Sequence, residues 1–388
     1  MDKTIKRFFK RFENAYVGIL TNQSAYGYNH QYHFQLYRQH LNVKVLFLPE
    51  HGLFAELQDQ VSGSNLHYHY EGISISNLYG DTESSLYADE TVLSGLDYVL
   101  IDIRDVGARY YTFLTTALYI MKAIHRHNRK RKGKAVEILI IDSPNPIGRK
   151  IEGSPLKVAY ESFVGVEGVL HRHGLSPAEL LSYYNYRFKL RLNLHILPVG
   201  TIYPKKMKVS DWISPSPNIP SRQTCYVYPG QCLLEGTNIS EGRGTTRPFE
   251  IFGAPYINIE NRNLLKRLAE HSHGTFQLRP LLFIPTFHKH ANEICGGFQL
   301  MLEDKKRFHS LLFTLHFLRC IQEEYLSNFS YREGVYEFCS NRKAIEILVG
   351  DEYLLEYLDG KREYKEIEEY LKESENYWKH IAEDYYLY

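Results

Sequence analysis

The sequence predicts an α/β protein. A Rossmann-like domain, with a mostly parallel sheet covered by helices on both faces, is followed by a smaller α+β domain. Three observations lead there. Short, nearly continuous apolar runs alternate with helix-length segments early in the 388-residue chain, the pattern of strands buried on both faces. A polar motif follows each run. Later the alternation gives way to paired strands and long amphipathic helices. The division is set at residues 1–248 for the Rossmann-like domain and 249–388 for the smaller C-terminal domain.

The elements follow in order. Tyr16–Leu20 runs into Thr21, Asn22 and Gln23. Val43–Leu48 runs into Pro49, Glu50, His51 and Gly52. Ile73–Ser76 precedes Asn77–Gly80. Tyr98–Ile101 leads to Asp102, Arg104, Asp105, Arg109, Tyr110 and Tyr111, and Glu137–Ile141 to Asp142 and Asn145. In such sheets ligands bind beyond the carboxyl ends of the strands, where these polar residues fall. Ser176, Pro177 and Glu179 spell a helix start with a capping box. Farther on, Leu282–Lys289 and Gly297–Leu302 read as strands. Apolar residues spaced from Phe308 to Ile321 mark a helix within 307–325, and 364–388 reads as a charged, aromatic helix.

Composition narrows the function. A net charge of +1 argues against a dedicated nucleic-acid binder, and the basic run 125–134 reads as a solvated helix end. The five cysteines form no Cys-x-x-Cys pair and no even-numbered disulfide framework. The charged N-terminus is unlike a secretory signal, and no run approaches a membrane span. A cytoplasmic protein without a membrane partner is expected. No Gly-x-Gly-x-x-Gly turn follows the first strand and no Walker loop occurs, so no nucleotide cofactor is expected. The pairs His67/His69, His171/His173 and His288/His290 can chelate when on strands, but no further ligand spacing completes a set, so no metal is expected.

The segment Glu235–Thr246 combines three glycines, two carboxylates, an arginine and five amide or hydroxyl side chains. Such a segment builds no core. It is either a solvated connection or a polar ligand wall, with Asn238, Glu241 and Arg243 as contacts. Glu50 follows a buried strand inside a Pro/Gly turn. A carboxyl group in that setting suits a general acid, and its other reading is a helix cap. Asp102, Asp105 and Arg109 are either substrate contacts or an internal ion-pair network. Tyr111 can stack on a sugar, Asn145 can bond a hydroxyl or acetamido group, and His173 lies at a helix start.

These motifs, in this order, resemble the exo-β-N-acetylmuramidase family of peptidoglycan-degrading glycoside hydrolases. The matching blocks include Gly18–Gln23, Pro49–Gly52, Leu78–Gly80, Asp105–Arg109, Pro144–Pro146, Ser162–Gly165 and His173–Gly174. They continue through Ser216–Asn218, Glu235–Thr246, Pro248–Glu250, Gly253–Pro255, Pro285–Lys289, Cys295–Gln299 and Tyr386–Tyr388. The resemblance implies a Rossmann-like domain, a smaller second domain and a cleft between them. It implies release of N-acetylmuramic acid from the non-reducing end of peptidoglycan-derived fragments, with Glu50 as the leading catalytic residue. The chain departs from the family pattern at Leu53–Ala55, Arg104 and Ser143, changes expected to cluster at the cleft.

Glycoside hydrolysis usually uses two carboxyl groups. The second is assigned to Glu241, with Asp102, Asp105 and Asp59 as alternatives. Asn22, His51, Asp102, Asp105, Arg109, Tyr111, Asn145, His173, Asn238 and Arg243 are expected to bind the muramic-acid-containing sugar, Arg243 or Arg109 holding its carboxylate. The rival reading is an amino-sugar or muropeptide-binding protein without turnover.

Overall fold

The structure, a computed structural model, describes residues 3–28, 30–58, 60–206, 208 and 211–388. The alternative candidate Asp59 lies outside the described residues. The chain opens with α1 (Lys3–Lys10), β1 (Tyr16–Thr21), a small hairpin of β2 (Tyr26–Tyr28) and β3 (Gln31–Tyr32), α2 (His33–Tyr37) and β4 (Asn42–Leu48). Next come β5 (Ser74–Asn77), α3 (Glu90–Ser94), β6 (Tyr98–Asp102), α4 (Phe113–Lys130), β7 (Glu137–Ile141), α5 (Pro177–Arg187) and β8 (Leu194–Leu197).

Six of these strands form one sheet in the order β5-β4-β1-β6-β7-β8, every pairing parallel. In chain order this is 3-2-1-4-5-6, the doubly wound arrangement whose switch point lies between its first and fourth strands. Here that is the gap between β1 and β6. Alternate residues explain why both faces are covered. Val17, Ile19, Leu46, Leu48, Leu100 and Leu139 pack with α1 and α2. Their neighbours Leu20, Val45, Phe47, Val99, Ile101 and Ile138 pack with α4 and α5. The predicted start of α5 is present in full: Ser176 accepts from Glu179 N, Glu179 returns a bond to Ser176 N, and Pro177 opens the helix.

The second half comprises α6 (Arg222–Gln231), β9 (Ile251–Ala254), α7 (Arg262–Ala269), β10 (Phe276–Phe283), β11 (Cys295–Leu302) and α8 (Ser310–Glu324). It ends in α9 (Ala344–Val349), α10 (Glu352–Leu358) and α11 (Tyr364–Glu383). Its sheet is antiparallel, in the order β10-β11-β9. The expected strand at Leu282–Lys289 is displaced. Only Leu282 and Phe283 belong to β10, and 284–289 forms a loop and turn. Leu311, Leu315 and Leu318 of α8 join the same continuous core as the α4 side of the large sheet, so the two sheets share one apolar interior. Among the described residues, no helix is long and apolar enough to cross a membrane.

Candidate active site

A narrow pocket lies beyond the carboxyl ends of β4 and β6, the neighbours of β1 on either side. It is walled by Glu50 and His51 after β4, by Tyr110–Thr112 before α4, and by Ser216, Asn218 and Ile219. From the second half come Tyr228, Glu235, Arg243, Phe249, Tyr336 and Glu337. Its interior holds about 40 Å³, room for a few water molecules.

Glu50 is 5% exposed. No helix follows it, so the capping role is excluded. Its Oε2 accepts from the Thr112 hydroxyl at 2.9 Å and its Oε1 from Gln60 N at 3.2 Å. The turn that presents it is bent tightly: His51 has φ +74° and Gly52 +85°. A buried left-handed histidine is a strained position of the kind that concentrates at functional sites. His51 Nδ1 meets the Leu57 carbonyl at 3.1 Å. A carbonyl can only accept, so Nδ1 carries the proton, and in the neutral ring Nε2 is the basic nitrogen. Nε2 lies 4.0 Å from Glu50 Oε1.

The Glu235–Thr246 segment is mostly buried, so it is not a solvated connection, and its Glu235 and Arg243 line the pocket. Ser240 pairs with Gly253 of β9 through two backbone bonds of 2.8 and 2.9 Å, and Asn238 N bonds Ser330 O at 2.9 Å. Gly242 and Gly244 have φ near +80°, and a Cβ at either would press into the backbone of Ile251 or of Thr286 and Phe287. Only glycine fits there.

Within this wall a chain of charges runs toward the pocket. Lys289 Nζ lies 2.9 Å and His288 Nδ1 3.2 Å from the Glu241 carboxylate, which is also 3.0 Å from Arg243 Nε. Arg243 Nη2 then donates to Glu235 Oε1 at 2.8 Å, and Tyr336 donates to Glu235 Oε2 at 2.7 Å. Burial alone would favour the neutral form of Glu241. Lys289, His288 and Arg243 outweigh it and hold the carboxyl well below the usual range. Glu241 itself is fully buried and does not line the pocket.

The other expected site residues divide into two groups. Glu50, His51, Tyr111 and Arg243 line the pocket together. The Tyr111 hydroxyl is buried beside Ser216 without a hydrogen bond of normal geometry. The rest hold the walls. Asn22 Nδ2 bonds Pro215 O at 3.1 Å and its Oδ1 accepts from Ser24, which fixes the loop carrying Ser216 and Asn218. Asp102 accepts from His33 Nδ1 at 2.9 Å, from Tyr203 at 2.6 Å and from Tyr37, all in the interior. Asp105 caps Gly107 N at 2.7 Å and meets His173 Nε2 at 3.2 Å. Asn145 bridges Leu175 O and Ile147 N.

Arg109 is a clamp between the halves. Its guanidinium donates to the carbonyls of Ser154, Val169, Leu348 and Val349 at 2.8–3.1 Å, and it is absent from the pocket lining. Burial pushes its pKa down to about 10. Asn238 bonds Asn328 O, Ser330 N and Tyr256, and lines a separate open groove with His288 and Lys289. Among the described residues, no three His, Cys, Asp or Glu side chains group as a metal site.

The N-terminal domain model of the exo-β-N-acetylmuramidase NamZ matches residues 17–223, and the C-terminal domain model matches 226–388. The chain belongs to the NamZ exo-β-N-acetylmuramidase family. A peptidoglycan β-N-acetylmuramidase NamZ of Bacillus subtilis strain 168 is 33% identical over 341 residues, 85% of this chain and 78% of that protein. Two solved DUF1343 family proteins of Bacteroides fragilis share the fold. One has a TM-score of 0.80 at 22% identity, covering 99% of this chain and 97% of that one. The other has a TM-score of 0.70 at 25% identity, covering 100% and 97%.

The two NamZ domain models meet near α6, ahead of the division expected after residue 248. The departures from the NamZ pattern do not cluster at the pocket as expected. Leu53–Ala55, Arg104 and Ser143 are absent from its lining, and Arg104 instead bonds Asp211 O at 2.8 Å over the Tyr203 ring. Sequence reasoning missed Thr112, Tyr228, Tyr336 and Glu337, which carry no motif. It quoted Ser216, Asn218, Glu235 and Phe249 only inside longer blocks.

Proposed function

We propose that the chain is an exo-β-N-acetylmuramidase, which hydrolyses the bond between a non-reducing-end N-acetylmuramic acid and the rest of a peptidoglycan-derived fragment. Glu50 is the general acid. The observation that carries this reading is the placement of Glu50: a buried carboxyl group at the switch-point pocket, aimed by Thr112 and Gln60. It protonates the leaving oxygen. His51, its tautomer set by Leu57, holds its basic Nε2 4.0 Å from Glu50 Oε1. Tyr111, Ser216 and Asn218 offer hydroxyl and amide groups to the sugar. Glu241 does not reach the substrate in this reading; it fixes Arg243.

The test is direct. The protein is incubated with an N-acetylmuramyl–N-acetylglucosamine disaccharide, and free muramic acid is followed by mass spectrometry. Release is expected, with E50Q slower by about 10²–10⁴-fold while still binding the disaccharide. Binding without release by the wild type would support a sugar-binding protein instead, and unimpaired turnover by E50Q would remove Glu50 from the mechanism.

A further inference from the structure

We propose that Glu235 is the second carboxyl group of the reaction, the one that faces positive charge as it grows on the sugar ring. This rests on the glycosidase reading above. Three observations point to Glu235. It lines the same pocket as Glu50 but comes from the other half of the chain, so a sugar seated between them meets a carboxyl group from each side. It sits in the helical turn Cys232–Gly236 directly after α6, a rigid mount. And both its oxygens are aimed: Oε1 by Arg243 at 2.8 Å and the Cys232 thiol at 3.8 Å, Oε2 by Tyr336 at 2.7 Å, which leaves Oε2 a lone pair for a ligand.

The charge chain behind it gives the reason for this arrangement. Lys289 and His288 fix Glu241, Glu241 fixes Arg243, and Arg243 fixes Glu235. Signs alternate along the row, and its last two members, Arg243 and the Glu235 carboxylate, both line the pocket. A preorganised negative group costs no reorganisation when an oxocarbenium-like transition state forms. Glu337 also lines the pocket, on a segment where Glu337 and Phe338 have φ of +48° and +65°, and it accepts from Tyr79 at 2.9 Å. It is the natural competitor for the role.

The step balances as follows. The bond from the anomeric carbon to the leaving oxygen breaks, its electron pair goes to that oxygen, and the Glu50 proton joins it. Glu235 stabilises the cationic ring without exchanging a proton. A water oxygen bonds to the anomeric carbon, and its surplus proton returns to Glu50. One water is consumed per bond cleaved.

The experiment compares wild type, E235Q, E235A and E337A on the N-acetylmuramyl–N-acetylglucosamine disaccharide, with folding checked by circular dichroism. E235Q is expected to lose at least about 10²-fold in kcat with KM changed by less than about threefold. Azide or formate is expected to restore part of the E235A rate, because a small anion can replace a missing carboxylate in the pocket. A kcat for E235Q equal to wild type overturns the proposal. So does folded E235A that no anion rescues, which would make Glu235 a structural member of the wall, or rescue of E337A in its place. An inactive wild type would instead defeat the glycosidase reading itself.

Discussion

The Thr112 hydroxyl donates to Glu50 Oε2 at 2.9 Å, and α4, which Thr112 begins, has no side-chain cap as a result. A threonine at a helix start ordinarily turns its oxygen to the helix's own N–H groups. Here the helix gives up that bond and the carboxyl group gains a fixed direction. T112V is expected to lower kcat by about tenfold to a hundredfold, the worth of one hydrogen bond to a charged group. T112S, which keeps the hydroxyl, is expected to retain most of the rate. Steady-state kinetics on the disaccharide separates the two.

Tyr111 carries a buried hydroxyl that makes no regular hydrogen bond, an arrangement that costs stability and suits a group waiting for a ligand. Y111F is expected to melt at the wild-type temperature or slightly above it, with kcat/KM reduced about tenfold. A variant that is both less stable and fully active would contradict this.

Arg109 satisfies four carbonyls drawn from both halves of the molecule. R109A strands them in the interior and is expected to cost on the order of 3–5 kcal/mol, read as a lower midpoint in urea. The loss of activity should follow the loss of folded protein and not exceed it.

Glu152 gives the acid limb of stability. It pairs with Arg172 at 2.6 Å and Lys150 at 3.2 Å and accepts from Ser310 N at 2.8 Å. Burial would raise its pKa, but Lys150, Arg172 and His309 outweigh burial and lower it from 4.5 to about 2. The unfolded chain therefore binds more protons between these values, so this contribution is whole above about pH 4.5 and fades as pH falls toward 2. The loss is on the order of 3 kcal/mol. E152Q should flatten the acid limb in urea titrations. His309 acts in a separate window. Burial lowers its pKa but Glu375 and Glu152 raise it more, above 6.5, so its contribution is whole below that pH and fades as pH rises through the folded value.

Gly230 marks the contact of α6 with α8. A Cβ there would collide with the Ser310 carbonyl and the Thr314 side chain. G230A is expected to destabilise by about 1–3 kcal/mol through overpacking, despite alanine's better helix propensity. An unchanged melting temperature would mean that the two helices can separate without penalty.

What the sequence revealed follows physical range. Local rules worked where neighbours decide the outcome. The Ser176–Glu179 capping box, the apolar runs of the parallel sheet and the turn around Glu50 are all short-range patterns. They failed where a distant partner decides. β8, only Leu194–Leu197 with His195 inside it, is a strand because β7 pairs with it. Pro280 interrupts the apolar run of β10, yet β10 is an edge strand, where proline is tolerated. In the site, Tyr336 and Glu337 come from a loop far along the chain and belong to no motif. Polar strand ends such as Asp102 and Asn145 look like site residues from their neighbours alone. In three dimensions they satisfy buried groups, His33, Tyr37 and Tyr203 in one case and Leu175 and Ile147 in the other.

The pocket between the halves has room for a few waters, and its walls come from both ends of the chain. A sugar ring cannot pass into such a space without parting Glu50 from Glu235, Tyr336 and Glu337. On the glycosidase reading each turnover therefore includes an opening step, which a dependence of kcat on solvent viscosity would reveal.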